Sequence, residues 1–231
     1  MIHPRYTRNI PALTKEECAL LAEKKVCVIG CGGLGGSILE YLSRIGVGMI
    51  TAVDGDVFDE TNLNRQLLSS EQVIGKSKAQ TAVKRIRQVN HLIRAFAVEA
   101  FLTEENAESI IGGHDLVIDA LDSPGARVIL AAACRRLGIT MIHGAISGWC
   151  GQVAVVPPES RLIDALYAGA PAAGDSPSTL AFTPSLCASI EVAEAVKYLC
   201  GRKTDLIENM LFFDLQSNSF NLFNTKEIAG L

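Results

Sequence analysis

No C-x-x-C pair occurs anywhere in the 231 residues, although the chain carries seven cysteines. An odd, scattered set (Cys18, Cys27, Cys31, Cys134, Cys150, Cys187, Cys200) gives no indication of a disulfide framework, and without paired spacing none of a structural zinc site. Reduced thiols in the core are the expectation. The four histidines (His3, His91, His114, His143) also lack metal-ligand spacing, and none is assigned a role. The sequence has neither an apolar run long enough to span a bilayer nor an N-terminal signal segment, which predicts a soluble, cytoplasmic protein without a membrane partner. Basic excess is missing as well: the net charge is −4, so no broad cationic face is expected for nucleic acid. What remains, with 48% apolar and 20% charged residues, is an ordinary globular composition and enough chain for one sizeable core.

What is present is alternation. The apolar run VCVIG (26–30) is followed by Leu34, Ile38, Tyr41, Leu42 and Ile45 at helical spacing, and Gly46 and Gly48 then break the pattern. MITAVD (49–54) predicts a second strand, Ala79 to Val89 an amphipathic helix, AFAVEA (95–100) a strand, and DLVIDAL (115–121) a buried parallel strand. GARVILAAACRRLG (125–138) predicts a helix and TMIHGAI (140–146) another strand. Strands alternating with helices imply an α/β, doubly wound, mostly parallel sheet with ligands at strand ends. The closing segment 209–226 alternates about a polar turn, Gln216–Ser219, and predicts an antiparallel hairpin.

In VIGCGGLGG (28–36) a strand ends and a helix begins, and Gly30, Gly32, Gly33 and Gly35 leave the backbone open at a positive helix end suited to phosphate. Asp54 ends the next strand, where a carboxylate accepts the hydrogen bonds of a ribose diol, and Asp56 lies just beyond. NAD and ATP are served equally by these features. The following polar stretch, DGDVFDETNLNRQ (54–66), carries Asn62, Arg65 and Gln66, and Lys78 opens the next helix in GKSKAQ (75–80). Hydride transfer has no use for two cations here, whereas a triphosphate does as pyrophosphate departs. Asp122, in DALDSPGAR (119–127), follows another apolar strand, from which it could hold Mg²⁺.

GCGGLGG, DGDVFDETNLNRQ, GKSKAQ and DALDSPGAR, in this order, resemble the ThiF/MoeB/HesA family, bacterial relatives of the ubiquitin-activating enzymes. RYTR (5–8), HGAISGWCGQV (143–153) and IEVAEAVKYLCG (190–201) extend the likeness over nearly the whole chain. The resemblance implies a Rossmann-like domain over 1–231: an N-terminal arm and helix (1–24), a nucleotide-binding core (25–156), a crossover loop (157–184), and a C-terminal helix and hairpin (185–231). It implies adenylation, with ATP and Mg²⁺, of the C-terminal glycine of a ubiquitin-like sulfur carrier ending in Gly-Gly, of the thiamine or molybdopterin type. Gly30, Gly32 and Gly35 would line the nucleotide, Asp54 would hold the ribose, and Asn62, Arg65 and Lys78 would contact phosphates. Asp122 would bind magnesium, and Arg8 would reach into the neighbouring site of a homodimer.

Departures from the family pattern shape the expectation too. Many members hold zinc with two C-x-x-C pairs, and Leu162 and Ala165 stand where the first pair would fall, so no zinc is predicted. The loop 157–186 lacks the cysteine that some relatives join to the carrier. Cys187 and Cys31 are expected to be inert core thiols, since no histidine neighbours them in sequence. Residues 160–178 predict a mobile loop over the active site, and Trp149 an ordinary core or interface aromatic. An oxidoreductase using the same glycine loop, a non-catalytic carrier-binding relative, and a relative that adenylates a tRNA base are the alternatives; the charged set counts against the first two and the modest net charge against the third.

Overall fold

The computed structural model describes residues 2–169 and 178–230. One sheet, in the order β3-β2-β1-β4-β5-β6-β7-β8, runs through these residues. Its strands are β1 (Lys25–Ile29), β2 (Met49–Val53), β3 (Arg94–Val98), β4 (Leu116–Asp119), β5 (Met141–Ser147), β6 (Cys150–Val156), β7 (Asn209–Asp214) and β8 (Ser219–Asn224). The first five pair in parallel, and β5 through β8 pair antiparallel. The helices are α1 (Lys15–Leu21), α2 (Gly33–Ile45), α3 (Lys78–Val89), α4 (Ala107–Ile111), α5 (Pro124–Leu137), α6 (Leu162–Leu166), α7 (Phe182–Leu199) and α8 (Thr225–Ala229).

Side chains of β1 show how the layers arise. Val26 and Val28 join a core with Ile38 and Leu42 of α2, Ile86 of α3 and Val192 of α7, while Cys27 and Ile29 point to the opposite core with Ile111, Leu130 and Leu162. A strand whose successive residues face opposite ways must be apolar throughout when both faces are covered. Each fully buried Ile or Leu contributes about 1.5–3 kcal/mol, so the two cores together hold the helices to the sheet. β1 pairs with β2 on one side and β4 on the other, so the chain order reverses beside it. That reversal opens a crevice at the carboxyl ends of β1 and β4.

The predicted loop 157–184 is not all loop. Leu162 and Ile163 are buried in the second core, with Ile228 of α8 packed against it, which folds α6 where five residues are too few to show a helical period. The predicted C-terminal helix begins at Phe182 rather than 185, and the expected crossover over 170–177 lies outside the described residues. The hairpin turns at 215–218, one residue earlier than expected, with Asn218 in the left-handed region at φ 56°. No described helix is long and apolar enough to cross a membrane.

Candidate active site

A cavity of about 250 Å³ fills the crevice. Its floor is the turn from β1 into α2, and close packing dictates glycine there. Gly30 has φ +101°, and a Cβ on it would meet the Ala120 carbonyl oxygen at 2.5 Å; a Cβ on Gly35 would sit 1.8 Å from the Gly30 oxygen. Gly35 therefore lets the helix close on the strand and does not itself line the cavity. Gly32 and Gly33 do line it, and a Cβ there would meet protein atoms only at 3.5 Å. Their bareness leaves the first amides of α2 accessible, and Gly32, as N-cap, supplies no side chain to satisfy them.

Asp54 braces this turn. Its Oδ2 accepts from Cys31 N at 2.7 Å and its Oδ1 from Asp56 N at 2.8 Å. Burial raises the Asp54 carboxyl above its usual range, against the pull of those amides and of Lys78. Lys78, the first residue of α3, is 7% exposed and donates from Nζ to Asp56 Oδ2 at 3.2 Å. Arg65 is steered by the Thr61 oxygen at 2.9 Å and Asn64 Oδ1 at 2.8 Å. Gln66 is buried on the cavity wall, and its Oε1 has no hydrogen-bond partner among the described residues. Asp122 stands exposed at the rim, immediately before the cap of α5. Phe101, Leu102 and Leu121 add an apolar side that sequence reasoning did not assign, because isolated apolar residues at strand ends carry no periodic signal.

Asn62 and Arg8 lie elsewhere. Asn62 is buried behind the wall, where Oδ1 accepts from Asp59 N at 3.0 Å and its carbonyl receives the amides of Arg65 and Gln66. It shapes the turn that presents those two residues and does not line the cavity. Arg8 is exposed in a 3-10 segment, Pro4–Asn9, and does not line the cavity of its own chain. That segment is anchored by the Tyr6 ring against Gly46 and by Arg5 on Asn90, at the carboxyl ends of α2 and α3. A 13-residue α2 sets its two ends about 20 Å apart.

A second cavity of about 310 Å³ adjoins the first through Arg127, Ala145 and Ile146. Its walls include Gln152, Gly151, Leu166, Tyr167 and Phe212. Arg127 is 6% exposed and His143 wholly buried, and both are tied to Asp119. Burial holds His143 below its usual pKa despite the Asp119 carboxylate beside it. Sequence reasoning passed over both residues.

The thiols are quiet. Cys31 and Cys187 are fully buried, and burial pushes each well above the ordinary thiol range. Trp149 is not a core aromatic: it is exposed on the β5–β6 turn, packed against Phe182 with ring centroids 5.0 Å apart. Among the described residues no three His, Cys, Asp or Glu side chains are placed to share a metal ion.

A doubly wound sheet with a glycine turn, a braced carboxylate and three cations, Arg65, Lys78 and Arg127, around one crevice defines a nucleotide-binding α/β protein. Residues 6–229 match the ThiF family, and the chain belongs to it. It is 32% identical over 223 residues to the SAMP-activating enzyme E1 of Haloferax volcanii, covering 94% of this chain and 83% of that protein. With the sulfur carrier protein adenylyltransferase of Thermus thermophilus it shares 34% identity over 229 residues, 94% and 84% of the two chains. Among solved structures, E. coli MccB with ATP shares the fold at a TM-score of 0.83 and 20% identity, over 97% of this chain and 72% of that one.

Proposed function

We propose that this protein is an ATP-dependent adenylyltransferase that activates the C-terminal glycine carboxylate of a small ubiquitin-like sulfur carrier. The observation that carries this is the convergence of Lys78, Arg65 and the open start of α2 on one cavity, with Asp122 at its rim. The names of the archaeal and Thermus relatives point the same way. ATP fits the residues present: the bare Gly32 and Gly33 admit phosphate oxygens to backbone amides, and buried Gln66 Oε1 offers an unused acceptor. Mg²⁺, held by Asp122 and the phosphates, would offset their charge.

In the reaction a carboxylate oxygen of the carrier attacks the α-phosphorus in line, and the bond to the bridging oxygen breaks, releasing pyrophosphate with its electron pair. The nucleophile is already ionised, so no general base is required. Arg65 and Lys78 neutralise the charge that grows on the leaving group, and the glycine turn and Asp54 fix the nucleotide. The second cavity, small-walled at Ala145 and Gly151, is the path for an extended glycine-ended tail. Thiamine- and molybdopterin-type carriers both meet this requirement. Arg8 acts on the site of a second subunit in a homodimer; its distance from the cavity of its own chain supports this. Seven free cysteines suit a reducing cytoplasm.

ATP–pyrophosphate exchange with purified protein and Mg²⁺ tests the assignment, with and without a carrier ending in Gly-Gly. Carrier-dependent exchange is expected; no exchange with any such carrier, together with NAD or flavin binding, would replace it with an oxidoreductase. Mixing Arg8→Ala with Asp122→Ala subunits should restore part of the lost activity. Stable mixed dimers without recovery would remove the shared-site role of Arg8.

A further inference from the structure

A polar circuit runs from Arg127, which lines both cavities, into the buried core. Asp119 ends β4 fully buried, where Oδ2 accepts from His143 Nδ1 at 2.7 Å and Oδ1 from Leu121 N at 3.0 Å. With its proton on Nδ1, neutral His143 presents a lone pair at Nε2, and the Tyr167 hydroxyl at 3.3 Å and Gln152 Nε2 at 3.1 Å face it as donors. The Tyr167 oxygen accepts in turn from Arg127 Nη1, and Arg127 Nε stands 3.7 Å from Asp119 Oδ2, an ion-pair contact without a hydrogen bond among the described residues. Donors and acceptors alternate from Arg127 to Tyr167 to His143 to Asp119 in this tautomer alone; a proton on Nε2 would set donor against donor.

The circuit holds Arg127 from several sides. Its Nη2 donates to the Leu121 carbonyl, and its Cζ lies 5.2 Å from the Tyr167 ring centroid. Among the described residues Arg127 is the one charged side chain that lines both cavities. Nothing in sheet packing calls for a histidine at the buried position of β5, where neighbouring Met141 and Ile142 are apolar. Its partners supply the reason: His143 is the acceptor that Tyr167 needs and the donor that Asp119 needs.

We infer that His143 is a positioning residue which, through Asp119 and Tyr167, locks the Arg127 guanidinium where the carboxylate of the incoming carrier tail meets the nucleotide. The inference rests on the adenylation assignment. Arg127 orients the carboxylate for attack, and the Tyr167 ring forms the side of the tail path. The guanidinium needs no change of protonation; it needs a fixed place, and a displacement near 1 Å costs on the order of 10²-fold in rate.

Kinetics of carrier-dependent exchange test it in Tyr167→Phe, His143→Ala and His143→Gln. Tyr167→Phe keeps the ring and removes only the hydroxyl, and the glutamine carbonyl can reach that hydroxyl from the position of Nε2. Tyr167→Phe and His143→Ala should lower kcat/KM for the carrier roughly 10–100-fold while leaving the KM for ATP within about threefold, and His143→Gln should recover much of the loss. An unchanged kcat/KM for the carrier in Tyr167→Phe, or equal losses for ATP and carrier that follow thermal stability, would overturn the inference. Wild-type protein without carrier-dependent exchange removes the adenylation assignment and this inference together; active wild type with indistinguishable variants removes the inference alone.

Discussion

The five parallel strands and the three that follow them present different surfaces. In β1, β2 and β4 almost every residue is buried, because helices cover both faces, and what remains for chemistry is the set of loops at the strand ends. The last strand, β8, is open: Phe220, Leu222 and Phe223 are each close to half exposed on an edge. The parallel half places small groups to within tenths of an ångström, as the Gly30–Gly35 contact requires, whereas the antiparallel half offers area. The proposed adenylation assigns the nucleotide to the first kind of surface and the folded carrier to the second. Arg127, Ala145 and Ile146 lie on the border between them.

Removing charge from the parallel half should have the largest effect. Asp122→Ala should lower exchange by about 10²–10³-fold, and with its side chain exposed the melting temperature should not move; unchanged exchange would remove its role at the phosphates. Gly35→Ala comes next. Its Cβ would fall 1.8 Å from a backbone oxygen, so a loss of about 2–3 kcal/mol in urea unfolding, with weakened ATP binding, is expected.

Glu191 lies on α7 beneath Gly144 of β5, where its buried carboxyl has no hydrogen-bond partner among the described residues. Burial holds its pKa well above 4.5. For an acid raised in the folded state, stability is fully present below the unfolded value and is lost as pH rises through the folded one. Wild type should therefore lose stability from about pH 5 upward relative to Glu191→Gln, by about 1–3 kcal/mol at pH 8. Parallel stability curves for the two proteins across that range would show that Glu191 is not held neutral.

Cys187→Ala removes a thiol that donates to the Gln152 carbonyl at 3.6 Å between α7 and the sheet. It should cost about 1 kcal/mol and leave exchange within about twofold; a folded variant dead in exchange would give that thiol a chemical role. The smallest effect belongs to the open edge. Leu222→Thr should change stability by less than about 0.5 kcal/mol, and any loss should appear in carrier affinity instead.

Much of the parallel half was legible. The glycine turn, Asp54 and Lys78 were each marked by a strand ending or a helix beginning a few residues away, and the fold places them on one cavity. Asn62, which the resemblance sets at the phosphates, lies behind the cavity wall, where its Oδ1 accepts from the Asp59 amide and shapes the turn; loop position alone does not reveal such a bond. Arg127 carries no signal in the sequence, because one arginine in a helix normally faces water. Nor does His143, which lacks metal-ligand spacing and whose partners Asp119 and Tyr167 lie 24 residues away in each direction.

Local sequence dictates the strand and helix alternation, the helix start at the glycine turn, and the polar groups that follow the strand ends. These depend on backbone conformations that neighbouring residues dictate. The closed fold sets which charges are buried, which groups face His143 and where Arg127 stands. Desolvation and hydrogen bonding come from atoms that approach only after the sheet has closed, and their strength depends on distances that no local spacing contains.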